Sequence, residues 1–170
     1  IQESQHVFIQ HGFTAAIKQN TSAQPLKIFE MGFGTGLNAL LTMLETDKTQ
    51  ANVRYSTVEL YPVPIEVIKE LNYTQQLGYE FCYGPYHSLH LCRWNEWHPI
   101  TPRFIFRKQQ MALTELTDDG ERYHLIYFDA FAPTHQPELW TKEIFDKMFS
   151  LLEVNGVLVT YCSKSIVQRA

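Results

Sequence analysis

Residues Leu26–Leu41 read L-K-I-F-E-M-G-F-G-T-G-L-N-A-L-L. An apolar run (Leu26, Ile28, Phe29) leads through Glu30 into three alternate glycines, Gly32, Gly34 and Gly36, and then into apolar residues at helical spacing, Leu37, Leu40, Leu41 and Leu44. This order predicts strand, tight loop, helix. Glycine allows a sharp turn at positive φ and a close approach of backbone to ligand. The helix behind it points unpaired N–H groups back at the loop. Such a stretch is a nucleotide or cofactor site in the first βα turn of a doubly wound sheet. The alternative is a glycine loop that only packs helix on strand.

The spacing narrows the ligand. A dinucleotide fingerprint is G-x-G-x-x-G, whereas here the third glycine arrives one residue early, and no Lys-Ser or Lys-Thr follows to make a phosphate loop. The pattern E-x-G-x-G-x-G resembles the first motif of Rossmann-like S-adenosylmethionine-dependent methyltransferases. In that family the loop passes under the methionine part of the cofactor, and an acid ending the second strand holds the ribose hydroxyls. Val53–Leu60 (V-R-Y-S-T-V-E-L) alternates like a strand and carries Glu59 at about the required interval.

The bulk of the chain limits the alternatives. Its 170 residues suit one domain with a sizeable core. A hydrophobic content of 45% and a net charge of −4 are ordinary for a globular protein and give no global basic field for nucleic acid. A local patch could still bind RNA. No apolar run has the length of a membrane span, and the start lacks a signal-peptide layout. Cys82, Cys92 and Cys162 make no disulfide framework, so reduced thiols in a cytoplasmic protein are expected.

The chain is expected to form a single domain over residues 1–170, with residues 1–25 as an approach segment. Within it Val7–Ile9 reads as helix or strand, and Thr14 as the cap of a short helix. Pro62 and Pro64 open a helix whose Ile65, Val67, Ile68 and Leu71 point at the sheet. Residues 77–102 are rich in aromatics and histidine, with little periodicity. Cys82, His87, His90 and Cys92 fall as C-x4-H-x2-H-x-C, a spacing that matches no usual zinc pattern, and no metal is expected. Stacking on RNA bases and an aromatic lid packed on the sheet both remain open for this segment.

Arg103–Arg107 is read as the third strand. Methyltransferases of this type often place an acid just after it, near the adenine amine; here Gln109 and Gln110 stand instead, and Gln109 is the expected adenine contact through its amide. His124–Asp129 is the fourth strand, so Asp129 should lie at the carboxyl end of the sheet beside the glycine loop. A carboxylate there can orient an amine and accept its proton, while Phe131 walls the pocket. The alternative is a carboxylate that caps the next helix.

The set E-S-x-x-V-F (from Glu3), E-M-G-F-G-T-G-L-N, D-A-F-A-P with P-E-L-W, and N-G-V-L-V-T-Y resembles, over nearly the whole chain, the methyltransferase domain of the MnmC family and its stand-alone relatives. The resemblance implies methyl transfer from S-adenosylmethionine to the aminomethyl nitrogen of 5-aminomethyl-2-thiouridine in tRNA. It implies Glu30, Gly32, Gly34, Gly36, Asn38, Glu59, Gln109 and Asp129 as cofactor contacts, with Asp129 and Phe131 at the methyl-transfer site. No flavin fingerprint occurs here, so the chain would be a stand-alone methyltransferase, with a separate flavin-dependent oxidase acting before it, or a fragment of something longer. Rival readings are a same-fold enzyme methylating or aminopropylating another amine, and an RNA-binding module without chemistry.

Trp140–Leu152 is an amphipathic helix, Asn155-Gly156 a turn, and Val157–Tyr161 the fifth strand, followed by the start of a last helix. The fold class is therefore α/β, a Rossmann-like methyltransferase with a mostly parallel sheet in the order 3-2-1-4-5. The two further strands usual in the class are expected to be missing through C-terminal truncation.

Overall fold

Six strands build one sheet in a computed structural model that describes residues 1–20 and 24–161: β1 (Leu26–Met31), β2 (Val53–Glu59), β3 (His98–Thr101), β4 (Phe104–Gln110), β5 (Tyr123–Phe128) and β6 (Leu152–Val159). Their order is β3-β4-β2-β1-β5-β6. All neighbours are parallel except β3, which runs antiparallel to β4 at the edge. The five parallel strands reproduce the expected 3-2-1-4-5 order, and β3 is an addition.

Residues on successive positions of the central strands enter opposite cores, as a sheet covered on both faces requires. Ile28, Tyr55, Leu125 and Tyr127 pack under helix α2 (Leu37–Thr49) and an N-terminal helix. Phe29, Ile126 and Phe128 pack on the other face against Ile144, Phe145 and Met148 of a C-terminal helix, Lys142–Ser150.

The N-terminal stretch is no mere approach. Gln2–Ser4, a wide i→i+5 winding over Gln5–Phe13, and Thr14–Gln19 run on as one helix, α1. Phe8, Phe13 and Ala16 are almost fully buried. Gly12 is the close-approach point: a Cβ there would come within 3.0 Å of Val159 and 3.1 Å of Tyr127. Thr14 is not a cap. It sits inside the helix, and its hydroxyl donates to Ile9 O at 3.2 Å.

Other local expectations shift. Ile65–Glu70 is helical and buries Ile68, but Val67 faces outward. The aperiodic aromatic stretch contains a helix, Tyr83–Leu91, whose Tyr86 and Leu89 enter the core, and then strand β3. Among the described residues no three His, Cys, Asp or Glu side chains converge as metal donors. β6 starts at Leu152, so Asn155 and Gly156 are an extruded irregularity within its pairing to β5 rather than a turn before it. The expected last helix lies outside the described residues.

Candidate active site

At the carboxyl ends of β1, β2 and β5 the chain encloses a cavity of about 710 Å³, a size typical of cofactor and small-ligand sites. Its floor is the glycine turn. Gly32 (φ +90°) is pressed against β5, where a Cβ would lie 2.9 Å from the Asp129 carbonyl oxygen. Gly34 (φ +49°) instead has open space where a Cβ would stand, and its backbone lines the cavity. The cradle is thus a backbone surface that any side chain at Gly34 would fill.

Glu59, at the end of β2, closes one side. Its Oε2 accepts from Gly34 N at 2.9 Å and its Oε1 from Tyr61 N at 2.8 Å. The acid therefore locks the glycine turn to the neighbouring strand while lining the cavity.

Asp129 lies opposite. The strand ends bring it beside Glu30 and Asn38, whose single amide group serves both carboxylates: Nδ2 donates to Glu30 Oε1 at 3.1 Å and to Asp129 Oδ2 at 2.7 Å. Glu30 Oε2 and Asn38 Oδ1 are buried without a well-formed hydrogen bond, and the Tyr55 and Thr57 hydroxyls beside Glu30 favour its ionised form. Burial first, and the nearby Asp129 charge second, push the Glu30 carboxyl well above the carboxylate range. Asp129 is pushed from its ordinary 3.8 up to about 6 by burial, opposed by the Asn38 bond and aided by the charge of Glu3. A carboxylate at that value is ionised at neutral pH yet binds a proton readily, which suits a proton acceptor.

Not all expected residues reach the cavity wall. Gly32, Gly34, Asn38, Glu59, Asp129 and Phe131 line it. Glu30 lies beneath it, joined through Asn38. Gly36 sits at the start of α2 (φ +72°), where a Cβ would meet His90 Nε2 at 2.9 Å. Gln109 is the clear correction: it sits within β4 and its Oε1 is 3.5 Å from Ser56 Oγ, away from the cavity. The turn after it, with Met111, Leu113 and Thr114, takes that wall instead. Phe131 is 70% exposed, so its ring edges the mouth rather than sealing the interior. Its backbone is fixed on both sides, by Gln136 Oε1 (3.1 Å from its N) and by Trp140 Nε1 donating to its carbonyl at 2.8 Å.

Two sets of residues escaped the sequence reading. Glu3, Ser4 and Phe8 of α1 line the cavity. From behind the glycine turn, Tyr86 OH donates to Thr35 O at 2.7 Å and His90 Nε2 approaches the same oxygen at 3.2 Å. Because a carbonyl only accepts, His90 Nε2 must carry the proton. Burial and Lys108 push His90 down to about 4, so it stays neutral in this contact. The signals for both sets were visible, in E-S-x-x-V-F and in the histidines of the aromatic stretch, but neither spacing indicated a direction.

Residues 100–170 match a family described as S-adenosyl-L-methionine-dependent methyltransferase. The chain is 31% identical over 182 residues to the tRNA 5-methylaminomethyl-2-thiouridine biosynthesis bifunctional protein MnmC of Nitrosospira multiformis, covering 99% of this chain and 28% of that protein. It is 26% identical over 181 residues to the protein of the same name from Methylobacillus flagellatus, covering 99% and 27%. The chain thus spans a little over a quarter of the length of these relatives. The crystal structure of MNMC2 from Aquifex aeolicus shares the fold, with a TM-score of 0.65 at 20% identity over 96% of this chain and 50% of that one. Residues 100–170 thus match S-adenosylmethionine-dependent methyltransferases, nearly the whole chain is similar to part of MnmC, and the MNMC2 structure shows the same fold.

Proposed function

We propose that the chain methylates the aminomethyl nitrogen of 5-aminomethyl-2-thiouridine at the tRNA wobble position, in the cytoplasm, after a flavin-dependent oxidase activity has exposed that amine. The observation that carries this reading is the pairing of the open glycine cradle with Asp129 across one cavity whose charged lining is, among the described residues, wholly acidic: Glu3, Glu59, Asp129 and Glu138. Acids of this kind suit a cationic nucleoside donor and an amine acceptor, and they disfavour phosphate inside the cavity. The names of the MnmC relatives point to the same nucleoside.

S-adenosylmethionine supplies a methyl group on a positively charged sulfur. In this reading the Gly32–Gly34 backbone and Asn38 hold its amino-acid end, and Glu59 its ribose. Glu30 beneath them keeps Asn38 in place. Asp129 takes a proton from the incoming ammonium and leaves the nitrogen lone pair free. The lone pair would form the N–C bond as the C–S bond breaks with its electron pair left on sulfur; the product would leave as a secondary ammonium, and Asp129 would pass its one proton to solvent. Phe131 borders the acceptor at the mouth. Orientation does most of the work, because the positive sulfur already makes the methyl a good electrophile.

Incubation with labelled S-adenosylmethionine and undermethylated tRNA, followed by mass spectrometry of the nucleosides, should yield 5-methylaminomethyl-2-thiouridine. Label on free polyamines with none on tRNA would replace the reading by that of a small-amine methyltransferase.

A further inference from the structure

The E-S-x-x-V-F segment ahead of the first strand has no role in the reaction outlined above, yet its first residue reaches the cavity. Glu3 stands on α1, is exposed, and lines the cavity together with Ser4 and Phe8. Phe8, 2% exposed and in ring contact with Tyr127 at 5.2 Å, anchors this part of the helix to the sheet. Glu3 is therefore presented by a packed element. Its carboxylate has no hydrogen bond or ion pair among the described residues, and its charge acts on Asp129. Among the described residues no Lys, Arg or His lines the cavity to neutralise it. Three other carboxylates at the site already have partners: Glu30 and Asp129 share the Asn38 amide, and Glu59 accepts two backbone N–H groups. Glu3 is thus a carboxylate without a donor among the described residues, lining the same cavity as Asp129, and an ammonium with three N–H donors can satisfy both.

We propose that Glu3 is a second carboxylate of the methyl-acceptor site, which with Asp129 draws in the acceptor as its ammonium. The proposal rests on the amine-acceptor reading above. Glu3 attracts and orients the cation; Asp129, whose proton affinity the Glu3 charge raises, removes one proton. The groups facing Asp129 are Asn38 from α2, Glu30 from β1 and Glu3 from α1, so only Glu3 is an exposed charge whose removal leaves the buried pair intact.

The test uses the whole chain and a synthetic anticodon stem-loop RNA carrying 5-aminomethyluridine. Glu3→Gln keeps the shape and removes the charge. It should raise the acceptor KM about tenfold while kcat and the calorimetric Kd for S-adenosylmethionine stay within about twofold. It should also move the acid inflection of kcat/KM, set by Asp129, to lower pH. Glu3→Asp should restore most of the KM. An unchanged KM, or a raised KM with an unmoved inflection, overturns the proposal while the amine reading stands. Failure of the unaltered chain to methylate this RNA at all overturns the amine reading and the proposal with it.

Discussion

Two charged regions sit on the same sheet and are built on opposite terms. On the β2–β4 side, Arg54 and Arg107 flank the Trp97 ring, their guanidinium carbons 4.1 and 4.5 Å from its centre. Glu121 lies 3.7 Å from Arg54, 3.8 Å from Arg107 and 3.7 Å from Lys27, and Asp119 adds a contact of 3.9 Å to Arg107. Every charge there has an opposite neighbour. At the carboxyl ends of β1 and β5, by contrast, Glu30 beneath the cavity and Asp129 on its wall share one neutral amide, and Asp129 shares the cavity with Glu3, Glu59 and Glu138. Paired charges hold structure at little net gain. Like charges gathered around a cavity are a cost to folding that a cationic ligand relieves. The difference supports the proposed site at the acidic cavity with an observation independent of the glycines.

Substitutions should separate the two regions in size of effect. Asp129→Asn should lower kcat by about 10²–10⁴-fold with the S-adenosylmethionine Kd within a few-fold, measured by single-turnover transfer and calorimetry. An unchanged rate would remove its assigned role. The same residue sets a stability signature. Its folded value of about 6 exceeds the ordinary 3.8, so the native state binds the proton more tightly. This contribution is full below 3.8 and is lost as pH rises through 6, by up to about 3 kcal/mol. Denaturant titrations across pH 4–8 should show that loss, and Asp129→Asn should flatten it.

Glu59→Ala frees the Gly34 amide and removes an acid from the cavity. It should weaken S-adenosylmethionine binding about 10- to 100-fold, from the 1.5–3 kcal/mol of a hydrogen bond to a charged group. Tyr86→Phe removes one of the two contacts on Thr35 O and should cost about 1 kcal/mol, seen as about fivefold weaker cofactor binding. Because His90 titrates near 4, that brace should hold constant between pH 6 and 9. Arg107→Met, in the balanced region, should change stability by no more than about 1 kcal/mol and leave turnover within twofold. A large activity loss there would erase the contrast.

What the sequence revealed and what it hid follow physical lines. The glycine loop, Glu59 and Asp129 could be placed because strand ends in a parallel sheet fall at one edge, so linear order becomes proximity. Gln109 misled because position relative to a strand end was read without the face: the strand runs on through Gln110, and alternation turns Gln109 toward Ser56. The α1 contribution was hidden for another reason. Its wide winding sets neighbours at i and i+5, as His6 and His11 show with ring centres 4.6 Å apart, and a search for 3.6-residue periodicity passes over it. The aromatic stretch likewise gains its helix from packing of Tyr86 and Leu89, with Gly84 and Pro85 weakening any local signal.

The most direct test of the central claim, that the glycine turn and Asp129 form one methyl-transfer site, is a single-turnover reaction of labelled S-adenosylmethionine with wobble-aminomethylated tRNA, read by mass spectrometry for the unaltered chain and Asp129→Asn side by side. The account predicts methylated wobble nucleoside from the former and at least about 100-fold slower transfer from the latter, at equal cofactor occupancy. Equal transfer by the two proteins would contradict it.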